Sequence, residues 1–138
     1  MGSRPNADIG FGVYLGSEGS WHNDPDWASF SEPRDDMWAE FAKELGADDA
    51  WDAEESCPVM FIHGGMRYDE CQSTAMIVRS SHVHGDWDDP TTVALDITDR
   101  AACIATLMLW AERFGFPWEK ITHANPDGPR WLMMVSYG

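Results

Sequence analysis

The chain has 138 residues, with 24 Asp plus Glu against nine Lys plus Arg and a formal charge of −15 at pH 7. That length fits one domain, residues 1–138, whose core needs no metal or disulfide staple. The carboxylate surplus argues against direct nucleic-acid binding and against acidic membranes, and steers toward cationic partners. An apolar fraction of 43% with eight Trp is that of a folded chain. Cys57, Cys71 and Cys103 are odd in number and lack a CxxC spacing, so reduced thiols and a cytoplasmic setting are expected. The start, Met-Gly-Ser-Arg-Pro-Asn, has no apolar core of a signal peptide, and the apolar run 101–111 is too short to span a bilayer.

In chain order, Ile9–Leu15 reads as a strand with Phe11, Val13 and Leu15 on one face. Gly10 and Gly12 within it weaken the strand or permit close backbone approach. A turn-rich acidic loop follows over 16–34. Trp38, Phe41, Ala42 and Leu45 recur at helical spacing, which predicts a helix over Asp35–Leu45 stopped by Gly46. A second acidic loop is expected over Asp48–Cys57, then a strand over Val59–His63 and a two-residue hairpin turn at Gly64-Gly65. Thr74–His84 is the longest β candidate, ending in the turn 85–90, and Thr91–Leu95 is a candidate edge strand.

Asp96 or Thr98 can cap a helix over Asp99–Phe114. Its wide apolar surface implies burial on most sides or a face that meets a partner, a homo-oligomer among the options. Arg130–Tyr137 is a last strand, apolar on both faces and therefore central. The order β-α-β-β-α-β predicts an α+β fold. Its antiparallel sheet has about four to five strands with two helices on one face, as in a split β-α-β arrangement.

Twelve of the carboxylates fall between Asp24 and Glu55, where Arg34 and Lys43 are the only Lys or Arg. Asp36, Glu40 and Glu44 fall four apart and line one face of the first helix, with Asp35 beside them. Asp48, Asp49, Asp52, Glu54 and Glu55 continue the field, and Trp27 and Trp51 offer aromatic anchors. Carboxylates on a rigid element, interleaved with Trp, suit an Arg-rich protein surface. Charge runs also serve solubility alone. Trp38, Trp110 and Trp131 occupy apolar faces and are expected in the core, whereas Trp21, Trp87 and Trp118 lie in loop sequence.

His82-Val83-His84 is the sharpest metal-like feature, because residues i and i+2 of a strand point to one side. Asp86 follows and can complete a set with His82 and His84, with His63 as a further donor. A polar strand end is the plainer account of the same residues. Asp86, Asp88 and Asp89 do not form an EF-hand loop, which needs a central Gly and a Glu at its twelfth position. No GxSxG elbow and no phosphate-binding glycine loop is present, so no catalytic residue and no cofactor is assigned.

The segments Asp8–Tyr14, Asp96–Phe114 and Pro129–Gly138 give the chain a resemblance to small, acidic, Trp-rich proteins of actinobacterial bacteriophages. What that resemblance implies is context. Such proteins often bind and block host proteins, defence nucleases included, and no catalytic residues come with it. The resulting expectation is a non-enzymatic inhibitor or nucleic-acid mimic that engages a basic, nucleic-acid-binding host protein. The alternative is a metal-binding domain or metal-dependent hydrolase using His82 and His84.

Overall fold

A computed structural model describes residues 5–17, 32–66, 73–86, 95 and 97–137. Residues 18–31 of the expected loop 16–34, with Trp21 and Trp27, lie outside these residues, as do Cys71, the turn beyond Asp86 and residues 91–94 of the candidate edge strand Thr91–Leu95; Gly16 and Ser17 belong to a strand and Leu95 to none. Among the described residues, five strands and four helices are formed. In chain order they are β1 (Pro5–Ser17), α1 (Asp35–Leu45), α2 (Ala50–Ser56), β2 (Val59–Met66), β3 (Ser73–Val78), β4 (Val83–Asp86), α3 (Arg100–Phe114), α4 (Trp118–Ala124) and β5 (Arg130–Tyr137). A short 3₁₀ turn, Arg79–Ser81, separates β3 from β4. The fold is α+β, and the sheet is antiparallel except where β2 meets β5.

β1 is paired along both edges. One edge runs against β5 from Pro5 to Gly12. The other is divided, with β4 taking Asn6–Ile9 and β3 taking Gly12–Ser17. At the break, the Phe11 N–H donates instead to the Ser81 hydroxyl (2.8 Å), which donates in turn to the Val78 carbonyl (2.6 Å). A buried amide thereby keeps a partner where the ladder is interrupted. β3 pairs with β2 on its far side, and the end of β2 pairs in parallel with Ser136 and Tyr137 of β5. The pairings β1–β3–β2–β5 thus return to β1, and the strands curl round a small core of Ile62, Ala75, Ile77 and Met134.

Such curling brings backbones close, and glycine is what admits it. A Cβ on Gly12 would sit 2.0 Å from the Met76 carbonyl oxygen and 2.6 Å from the Ile77 Cα. One on Gly10 would meet the Ile77 side chain at 2.2 Å. Of the two readings of these glycines, close approach is the one realised.

The other face of the sheet carries all four helices. Phe11, Val13 and Leu15 of β1 join Val59, Met76 and Val78, and on these pack Trp38 of α1, Ala53 of α2, Trp110 and Phe114 of α3, and Ile121 of α4. Trp38, Phe41, Phe61, Trp110, Phe114 and Phe116 form a chain of mostly edge-on or tilted ring contacts, with centroids 5.5–6.2 Å apart. Trp131 is half-buried and packs edge-on against Phe11. β1 is joined to this layer by Asn125, 2% exposed, which accepts from the Tyr14 N–H and donates to the Tyr14 and Ile121 carbonyls.

Several expectations are corrected. The acidic stretch after α1 contains a helix, because Asp49 caps it by accepting from the Asp52 N–H and Ala53 finds a buried place. Gly64-Gly65 is no hairpin turn: β2 runs on to Met66, since its end pairs in parallel with Ser136 and Tyr137 of β5. The candidate strand 74–84 is cut by the 3₁₀ turn. Asp99, rather than Asp96 or Thr98, caps α3 through the Ala102 N–H. α4 was not foreseen, and Trp118 is its first residue and not a loop position. α3 buries one side only, leaving Met108 and Leu109 44% and 48% exposed. Among the described residues, no helix is long and apolar enough to cross a membrane.

Two substitutions test this account by urea denaturation. Gly12→Ala forces a methyl into backbone and is expected to cost at least about 2 kcal/mol. Ser81→Ala strands the buried Phe11 amide and is expected to cost about 1–3 kcal/mol. Wild-type midpoints in both variants would show that the β1–β3 crossing does not constrain the fold.

Candidate functional site

The acidic field is carried on two short helices. α1 ends at Gly46, whose φ of 69° is the left-handed conformation that glycine accepts, and Ala47 N–H caps the Ala42 carbonyl. Trp38 and Ala42 face the core, so Asp35, Asp36, Glu40 and Glu44 are held on the exposed side. Glu44 is paired with Arg113 of α3, so that carboxylate serves helix docking as well as surface charge. The Arg113 guanidinium also lies over the Trp110 ring, 5.3 Å from its centroid.

α2 and the two residues before it present Asp48, Asp49, Glu54 and Glu55 at the surface with Asp52 half-buried. Crowding among them shows in Asp52, whose pKa is raised above the usual carboxylate value. The Asp49 charge is the main cause, followed by desolvation and the charges of Asp48 and Glu55. Trp51 projects from the same helix and is 68% exposed. Trp27, the other expected anchor, lies outside the described residues.

Beside Trp51 is a cleft of about 290 Å³, lined by Glu32, Glu54, Glu55, Phe61, His63 and Arg79 among others. Arg79 is its one Lys or Arg among the lining residues, and its guanidinium is committed to the backbone. Nε donates to the Cys57 carbonyl (2.8 Å) and an Nη to the Glu54 carbonyl (2.6 Å). Arg79 therefore ties the C-terminus of α2 to the break between β3 and β4, where a cation also complements the helix dipole. His63 Nε2 lies 2.7 Å from a Glu32 carboxylate oxygen. That hydrogen bond raises the His63 pKa, with the Glu32 and Asp8 charges adding and partial burial opposing.

On the opposite face of the sheet, Asp8 of β1 stands directly across from His84 of β4. Its Oδ1 is 2.7 Å from His82 Nε2 and 2.9 Å from His84 Nδ1. Asp8 is thus brought to the His-x-His pair by strand register. The side chain of Asp86, the carboxylate expected there, is outside the described atoms. His63 is engaged with Glu32 instead. Among the described residues, this trio is the one group of three or more His, Cys, Asp or Glu whose donor atoms come together.

The Cys57 thiol is a poor nucleophile. Cys57 is fully buried, and burial pushes its pKa up to about 11 against smaller opposing effects of the Val59 amide and Arg79, so it stays protonated at neutral pH. Cys103 is half-buried on α3. Sequence reading missed Asp8, Arg79 and the His63–Glu32 pair. A strand-end His and an acid in a loop carry no shared spacing that could have linked them.

Compared with protein-family models, with curated proteins and with solved structures, the chain has no significant match.

The raised His63 pKa has a definite sign. Stability from the His63–Glu32 pair is fully present below the unfolded value of about 6.5 and is lost as pH rises through the higher folded value. NMR titration of the His63 ring is expected to give a midpoint above that of a free histidine, and Glu32→Gln is expected to lower it. An unshifted wild-type midpoint would refute the pairing.

Proposed function

We infer that the protein is a non-enzymatic acidic binding protein whose α1–α2 face engages a basic protein surface. The observation that carries this reading is Trp51, 68% exposed on a helix flanked by Glu54 and Glu55 and standing over an acidic cleft. An indole left in water forgoes about 2 kcal/mol or more of burial. On a field of carboxylates, its face is also a receptor for a guanidinium. Asp35, Asp36, Glu40, Asp48, Asp49 and Asp52 extend the charge beyond the cleft, and Glu44 lies on the same helical stripe with its charge partly offset by Arg113.

Crowding of like charges supports the same reading. Asp52 is held above its usual pKa by its neighbours, and a cationic partner would relieve that repulsion on binding. Under this reading the natural target is a nucleic-acid-binding host protein. Its phosphate channel would accept the carboxylates as a nucleic-acid mimic, and occupation of that channel would be inhibitory. The resemblance to small acidic phage proteins fits an anti-defence setting.

The test uses a fluorescein-labelled deca-arginine peptide read by anisotropy at low salt. Trp51→Ala, and separately Glu54→Gln with Glu55→Gln, are each expected to weaken binding at least about tenfold. Glu112→Gln with Glu119→Gln removes the same charge from another exposed surface and is expected to change affinity less than about twofold. Equal losses in the two double variants would reduce the effect to net charge and overturn the reading.

A further inference from the structure

We propose that Asp8, His82 and His84 form a binding site for a divalent first-row transition ion of the zinc class. The site uses none of the residues of the acidic helical face.

The argument begins with backbone. Asp8 is paired on both sides, to Met134 of β5 and to His84 of β4, so its Cα is fixed by two ladders. His82 follows the 3₁₀ turn, with its N–H bonded to the Arg79 carbonyl (3.1 Å). His84 lies directly opposite Asp8, and His82 lies on the diagonal, two residues away on the same face. Three donors, two of them from facing strands and one from the residue after the turn, therefore converge. Preorganisation of this kind is what a metal site requires of its scaffold.

Distances fit the chemistry. In a tetrahedral site with metal–ligand bonds of about 2.0–2.1 Å, neighbouring donor atoms stand about 3.3 Å apart. Here the Asp8 Oδ1 lies 2.7 and 2.9 Å from the two ring nitrogens, and all three donor atoms fall within 4.8 Å of one another. Opening each contact by about half an ångström, within the reach of side-chain rotation, admits an ion. The two rings are 6.4 Å apart between centroids and inclined by 45°, so neither blocks the other.

Ligand type selects the ion. Two imidazoles with one carboxylate suit zinc, iron, nickel or copper, whereas calcium and magnesium take oxygen donors. Metal entry requires the His82 proton on Nδ1 and the His84 proton on Nε2, leaving Nε2 and Nδ1 to coordinate. Asp8 and His82 side chains are 18% and 25% exposed and His84 is 48% exposed, so the group is walled on one side and open on the other. Among the described residues the site has three protein donors, and a catalytic or exchangeable zinc site has that number with water in the fourth position.

Isothermal titration of tag-free protein with zinc chloride is expected to show one saturable site of micromolar affinity or tighter, and magnesium chloride none. Asp8→Asn and His84→Ala are each expected to weaken zinc at least about tenfold. His123→Ala, at an exposed histidine on α4, is expected to leave it unchanged. Circular dichroism confirms that the variants fold, and His84→Ala removes a largely exposed ring should Asp8→Asn fail to do so. Cobalt added in place of zinc is expected to give visible d–d bands that His84→Ala abolishes. No saturable zinc uptake, or uptake equal in wild type and His84→Ala, would overturn the proposal and leave a hydrogen-bonded His–Asp–His cluster.

Discussion

Strand β1 cannot pair continuously along its second edge, and the structure is organised around how that gap is filled. β4 leaves the strand at Ile9 and β3 takes it up at Gly12. The buried Phe11 amide between them is satisfied by the Ser81 hydroxyl. That hydroxyl is available because three residues, Arg79–Ser81, form a 3₁₀ turn instead of continuing the strand. Gly10 and Gly12 let β3 press onto β1 at the same place. A buried amide left without a partner costs about 1–3 kcal/mol, so the turn and the crossing are coupled.

The same break distributes chemistry to both sides of the sheet. Arg79, first residue of the turn, reaches back to the carbonyls of Glu54 and Cys57 and holds the end of α2 beside the cleft. His82, the residue after the turn, points to the other face and meets Asp8. One three-residue irregularity thus anchors the acidic helix carrying Trp51 and positions the pair of histidines. Breaks in a ladder re-aim side chains in this way, and they are common next to sites.

The charge on the helical face has two kinds of neighbour. Arg79 and Arg113 are engaged with α2 backbone and with Glu44, so both act in docking helices against the sheet and each other. The remaining carboxylates of α1 and α2 stand on a rigid layer over an aromatic core. Rigid placement matters physically, because a partner meeting them does not have to order a loop first. A field held this way differs from a charged tail in the entropy lost on binding.

Much of the fold was legible in sequence, and so was the acidic face. The helix Asp35–Leu45, its Gly46 stop, its carboxylate stripe and the last strand follow from periods of 3.6 and 2 and from one left-handed glycine. These are local rules, in which each residue's role depends on neighbours a few positions away. Other features depended on partners far along the chain. Gly64-Gly65 has turn chemistry, yet it extends a strand because β5 lies alongside, and Asn125 holds β1 from 111 positions away. Asp8 is 76 positions from His84, and only antiparallel register places the two face to face. Sequence by itself determined the two longer helices, the charge and the apolar faces, because those are set by short-range periodicity. Tertiary structure alone decided which polar groups meet, because strand register is fixed by the packing of the whole sheet.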